Sequence, residues 1–176
     1  MVLKDIFHLL KPNYNSRIDN IVEDLYKPCF KNSNIFYRGS AYFRTSVIDL
    51  YRNEVLDFCR GNDSKIAILT STDVILDDAN AIRDGYLQRQ FEKSLDELFS
   101  NAKMANPTKF VSTLIAMKKL DVYIVNGPLY HDKVGFFEDS EHGIVSFTGS
   151  GNETKPGLGI DGNFERYVAS WSSASS

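Results

Sequence analysis

His131 and Lys133 stand two residues apart in Leu129-Tyr130-His131-Asp132-Lys133-Val134-Gly135-Phe136-Phe137, a stretch rich in strand-forming residues. In a strand, residues i and i+2 share a face. The imidazole and the ammonium are therefore expected to project together, with Asp132 on the other side. Such a pair suits an apolar core badly, because each group needs water or a partner. It suits an anion site: the ammonium attracts the charge and the imidazole lies close enough to react. Further along, Thr148-Gly149-Ser150-Gly151-Asn152 closes the strand-like run that starts at Gly143. Its glycines let the backbone approach a ligand, and Ser150 and Asn152 can hydrogen-bond, so the turn could cradle phosphate oxygens. An ordinary turn has the same composition. The third piece is Glu165, flanked by Phe164, Arg166 and Tyr167 in a stretch that should be part-buried. A carboxylate there needs a partner. An imidazole N–H is a good one, since the carboxylate fixes the tautomer and supports an imidazolium; Arg166 or another surface cation is the alternative.

These groups need a scaffold to bring them together. Asn15 or Ser16 can cap a helix whose apolar residues Ile18, Ile21, Val22, Leu25 and Tyr26 follow helical spacing, ended by Lys27-Pro28. A β-rich stretch at 34–43, a helix from Thr45 or Ser46 to about Cys59, a turn at Gly61-Asn62-Asp63 and a short strand at 65–69 follow. A long helical pattern runs from about Asp77 to Met104. Asn106-Pro107 breaks it and opens another helix to about Lys119. Beyond that, 120–125, 129–137, 143–148 and 164–169 all read as strands. The predicted class is α/β: a mixed sheet with helices packed on it.

The chain has 176 residues, 43% hydrophobic and 24% charged, the composition of one globular domain rather than of a disordered or collagen-like chain. No apolar run approaches the roughly 18–20 residues of a membrane span. The first residues, broken by Asp5, His8 and Pro12, do not read as a secretory signal. The net charge of -3 gives no global basic field, so a polyanion site must be local. Cys29 and Cys59 form no C-x-x-C pair and are too few for a disulfide framework. They read as reduced and half-buried, which points to the cytoplasm. The domain is expected to span 1–171, with 172–176 a frayed polar tail or the edge of a truncation.

The order His-x-Lys, Gly-Ser-Gly-Asn, Asn-Phe-Glu in the segment from Tyr130 to Trp171 resembles the His-Lys-Asp half-site of the phospholipase D-like superfamily. More narrowly it resembles the nuclease branch: metal-independent endonucleases, restriction-type enzymes and N-terminal nuclease modules of helicase-like bacterial defence proteins. The place of the family's motif acid falls on Glu138, with Asp139 next, and the turn before the glycines is longer than usual.

The resemblance implies a phosphodiesterase in which His131 forms a phosphohistidine, Lys133, Asn152 and Ser150 hold the non-bridging oxygens, and Glu165 orients His131. The family's second His comes from a second motif copy. Only one His-x-Lys exists here, so the resemblance implies a homodimer with the site completed across its axis, a DNA or RNA substrate and no cofactor. Arg38, beside Gly39-Ser40 on a strand expected next to the motif strand, is the best candidate phosphate contact, with Ser40; Arg44, Lys103, Lys109, Lys118 and Lys119 are further candidates. No H-E-x-x-H or phosphate-binding G-x-x-x-x-G-K-[ST] is present, so neither metal nor ATP is expected. Asp77-Asp78 and Glu138-Asp139 read as solvated charges. A degenerate nucleic-acid-binding module and a phospholipid-acting phosphodiesterase are the alternatives.

Overall fold

The chain's architecture is described from a computed structural model covering residues 2–89, 106–128, 130–159 and 162–173. Seven strands, β1 (Asn13–Asn15), β2 (Ile35–Ser40), β3 (Lys65–Thr70), β4 (Leu120–Ile124), β5 (Val134–Glu138), β6 (Ile144–Gly149) and β7 (Arg166–Ser172), form one sheet in the order β1-β7-β6-β5-β2-β3-β4. β2, β3 and β4 run parallel, while β5, β6, β7 and β1 pair antiparallel. This is the expected mixed α/β sheet.

Alternation along the strands decides which face is covered. Phe36 and Arg38 on β2, Ile66 and Ile68 on β3, Leu120 and Val122 on β4, Phe137 on β5, Val145 and Phe147 on β6 and Tyr167 and Ala169 on β7 are all buried. The described helices pack there: α1 (Lys27–Lys31), α2 (Arg52–Cys59), α3 (Leu76–Gln88) and α4 (Pro107–Ala116). The heart of this layer is aromatic. Phe36 stacks on Phe137 with ring centroids 4.4 Å apart, and Phe30 meets the same two rings edge-on at 4.9 and 5.0 Å. Such pairs add about 0.5–1.5 kcal/mol each beyond the area they bury. The opposite face carries Tyr37, Leu69, Tyr123, Val134, Phe136 and Val168 around an apolar groove of about 640 Å³.

Several boundaries differ from the sequence reading, each for a local reason. Asn20 is the cap: its side-chain oxygen accepts from the N–H groups of Val22 and Glu23, 3.1 Å each. Asn15 instead closes a turn with Arg17. Pro28 does not end the helix, because Val22–Tyr26 widens to π geometry just before it. The helix stops at Asn32, whose side chain donates to Pro28 O. Thr45–Tyr51 is 3-10 before α2 begins. The motif strand starts only at Val134, so His131-Asp132-Lys133 is the loop leading into β5. Ser172 belongs to β7 rather than to a tail. The short edge strand β1 was not expected; Tyr14 on it is buried and pairs with Tyr167 across β7. The helical pattern beyond Arg89, Leu129, Lys103 and residues 174–176 lie outside the described residues.

Candidate active site

Parallel and antiparallel pairing together put the ends of β2, β3, β4 and β6 and the starts of β5 and β7 at one edge of the sheet. His131 and Lys133 enter β5 there, Ser150 to Asn152 leave β6 there, and Glu165 precedes β7. Residues distant in sequence therefore meet because strand direction requires it.

Lys133 Nζ lies 3.0 Å from His131 Nδ1, 3.2 Å from Nε2 and 2.8 Å from the His131 carbonyl. The ammonium can only donate, so the accepting ring nitrogen must carry its lone pair. Both side chains share one side, as expected, although the backbone is a loop. Desolvation lowers the Lys133 pKa below its ordinary 10.5 and the Arg38 charge lowers it further; Glu165 and Asp132 oppose them. The Lys133 backbone is tied to the glycine turn: its carbonyl accepts from Gly149 N–H at 3.1 Å and from the Thr148 hydroxyl at 3.2 Å.

In that turn, Asn152 is half-buried and its side-chain oxygen accepts from Tyr42 N–H at 3.3 Å. Ser150 Oγ donates to the Glu165 carboxylate and accepts from Arg166 N–H at 3.1 Å. Glu165, buried at 7% exposure, thus pairs with Ser150 rather than with His131. Its backbone N–H donates to Ser16 Oγ at 2.9 Å. The expectation that Glu165 orients the imidazole is corrected, and Ser150's hydroxyl proton is committed to Glu165 instead of to a ligand.

Arg38 and Ser40 need correction as phosphate contacts. Arg38 is 1% exposed, and its Nε donates to Glu153, itself 0% exposed, at 2.8 Å. The same guanidinium donates to the carbonyls of Gly39, Val134 and Gly151 at 3.2, 3.1 and 2.7 Å. Ser40 is buried too: it donates to Tyr42 O and accepts from Glu153 N–H, both at 2.7 Å. Burial alone opposes the Arg38 charge, but Tyr26 and Glu153 outweigh it and hold the guanidinium protonated. Lys118 and Lys119 precede β4 and so lie at the opposite sheet edge, where Lys119 Nζ is held by Gly61 O at 2.6 Å. Lys109 on α4 lines a pocket shared with Asp77 and Asp84. Arg44 stays near the site edge but donates to Phe43 O and Asp73 O.

The acid pairs separate as well. Glu138 is half-buried and faces His142 at 2.9 Å. Asp139 is buried and accepts from the N–H groups of Leu3, Glu141 and Gly143 at 2.6, 2.8 and 2.9 Å. Asp139 therefore carries a structural load and is not a solvated charge. Asp78 is buried likewise, taking the Thr45 hydroxyl at 2.6 Å.

Glu153 was missed because a charged residue in a glycine turn reads as solvated. The available signal was parity: Phe36, Arg38 and Ser40 share the core face of β2, and a core arginine demands a buried carboxylate. Ser16 and Tyr42 act only through contacts distant in sequence, with no local signature.

No protein-family model and no curated protein matches the chain. Among solved structures, yeast tyrosyl-DNA phosphodiesterase superposes with a TM-score of 0.46 at 12% identity over 82% of this chain, which spans only 28% of that protein. NucT from Helicobacter pylori superposes with a TM-score of 0.51 at 13% identity, covering 89% of this chain and 83% of NucT. The likeness to NucT is one of fold, a mixed sheet flanked by helices.

Proposed function

We propose that the chain is a metal-independent phosphodiesterase that cleaves nucleic acid through a covalent intermediate on His131. The observation that carries this reading is the contact of Lys133 Nζ with both His131 ring nitrogens at the sheet edge where the Gly149–Asn152 turn bonds to Lys133's own carbonyl. A phosphodiester is anionic and repels anionic nucleophiles; a neutral imidazole avoids that repulsion. An imidazole nitrogen of His131 attacks phosphorus, a P–N bond forms and the bond to the leaving oxygen breaks. Lys133 and the Asn152 amide stabilise the extra charge on the non-bridging oxygens. Water then attacks the phosphohistidine and releases the phosphate product with free imidazole. Ser150 and Glu165 form the wall of the site beside Lys133.

The leaving oxygen needs a proton. This chain has a single His-x-Lys, so the reading assigns the proton to His131 of the partner subunit in a two-fold dimer. The apolar groove on the open sheet face supports a partner there, since it borders Lys133 through Tyr130, Val134 and Thr148. A larger natural protein, such as a helicase-linked defence protein, is a compatible setting.

Plasmid nicking in EDTA tests the reading. Wild type is expected to nick, and His131→Ala and Lys133→Ala to lose activity by about 10²–10⁴-fold. Nicking that survives His131→Ala overturns it. DNA bound but left uncut by wild type favours the binding module. Turnover of phosphatidylcholine vesicles with no nicking favours the lipid reading.

A further inference from the structure

The groups of the proposed site are held by something buried beneath them. Arg38 Nη1 takes the carbonyl of Val134, the residue after Lys133, and Nη2 takes that of Gly151, between Ser150 and Asn152. One rigid, planar guanidinium thus spans the His-x-Lys loop and the glycine turn. Glu153 fixes that guanidinium through Nε and is itself held by the hydroxyls of Tyr26 and Tyr51. Burial keeps both phenols far above their ordinary titration range, so they stay donors. Glu153 also follows Asn152 directly, its N–H bonds to Ser40 and its carbonyl takes Arg44 N–H at 3.1 Å. The turn has no slack around this clamp: a Cβ on Gly151 would lie 2.0 Å from both Gly157 O and Tyr167 Oη.

We infer that Arg38 and Glu153 form a buried positioning pair that sets the spacing between the His131–Lys133 loop and Asn152 and keeps a buried cation beneath that loop. This rests on the proposed phosphodiesterase reading for its kinetic consequence, but not for its geometric one. Among the described residues, four charged or titratable groups act on Lys133: His131 on its own loop, Asp132 beside it, Arg38 from β2 and Glu165 ahead of β7. Of these, Arg38 is the buried cation, and its removal leaves Glu165 and Asp132 as the charges acting on the ammonium.

Two variants separate grip from charge. Arg38→Lys keeps a buried cation against Glu153 but replaces the planar fork that donates to both carbonyls with a single ammonium. Arg38→Met combined with Glu153→Gln removes both charges and leaves an acceptor for Tyr26 and Tyr51. The full chain is labelled with 13C at lysine Cε and titrated by NMR, with Lys133→Arg assigning the signal. Kinetics are followed on bis(p-nitrophenyl) phosphate. The wild-type Lys133 midpoint is expected below 10.5, to stay depressed in Arg38→Lys and to rise in the double variant. Both variants are expected to lose kcat by about 10–10²-fold with KM nearly constant, since misplaced groups cost rate rather than binding.

A cooperatively melting double variant with midpoint and kcat unchanged overturns the inference. If wild type turns over no diester while the midpoints move as expected, the phosphodiesterase reading fails and the positioning pair stands. If turnover depends on His131 yet ignores both variants, the pair fails and the reading stands.

Discussion

At the scale of single residues, Lys133 and Arg38 divide the work that a sequence reading gives to both. Lys133 stays at the rim, against the imidazole; Arg38 lies beneath it, fully enclosed. The depressed Lys133 pKa has a signed consequence. The ammonium is the form that stabilises an anionic transition state, and it is lost on raising pH through a midpoint below 10.5. The alkaline limb of kcat/KM is therefore expected to fall below pH 10.5 in wild type and to disappear from that range in Lys133→Arg, whose guanidinium stays charged. A limb in the same place in both would assign it to another group. Arg38→Ala leaves Glu153 buried and unpaired, so a loss of about 3–5 kcal/mol in urea unfolding is expected; a loss under 1 kcal/mol would mean that the pair is not enclosed as described. The contact between His131 and Lys133 was legible from type and spacing. Arg38 was legible as important but misassigned, because the parity that buries it was read only for the apolar neighbours.

At the scale of elements, the site depends on two turns. Asp139 gathers three backbone N–H groups, including that of Leu3, and so fastens the N-terminal 3-10 turn (Leu3–Leu9) to the β5–β6 hairpin. Its replacement by Ala strands those donors, at a cost on the order of 2 kcal/mol. Faster amide exchange at Leu3 and Gly143 is the expected signature, and unchanged protection there would contradict the assignment. In the other turn, Gly151→Ala drives a methyl into Gly157 O and the Tyr167 hydroxyl. It is expected to lower melting temperature and proposed activity together. Strand types came through the sequence because β-branched and aromatic runs are local signals. The start of β5 did not: 129–137 has strand composition throughout, yet the antiparallel partners of β5 begin at Val134. β1, only three residues long, is held by pairing with β7 and carries almost no local pattern.

At the scale of the whole molecule, the described helices lie on one face, leaving the groove around Val134 and Leu69 on the other. Parallel strands such as β2, β3 and β4 are usually covered on both faces, which agrees with the proposed partner. Sedimentation is expected to find a dimer, and Val134→Glu to weaken it and reduce nicking in parallel; a strict monomer with full nicking activity would sink the shared site. Both thiols lie in the covered layer: burial pushes Cys59 up to about 12 and Cys29 higher. Their reaction with a disulfide reagent at neutral pH is expected to keep pace with unfolding; immediate reaction of the folded chain would contradict this packing. The sheet class was visible in the alternation of segments, but which face stays open was not, since both faces of the central strands are apolar. The central claim concerns one nitrogen. DNA labelled at the scissile phosphate should be quenched in alkali during turnover, and the protein digested and mapped. The expected result is an alkali-stable, acid-labile phosphoryl adduct on the peptide carrying His131, absent from His131→Ala. Turnover with no adduct at His131, or with one on another residue, would contradict the account.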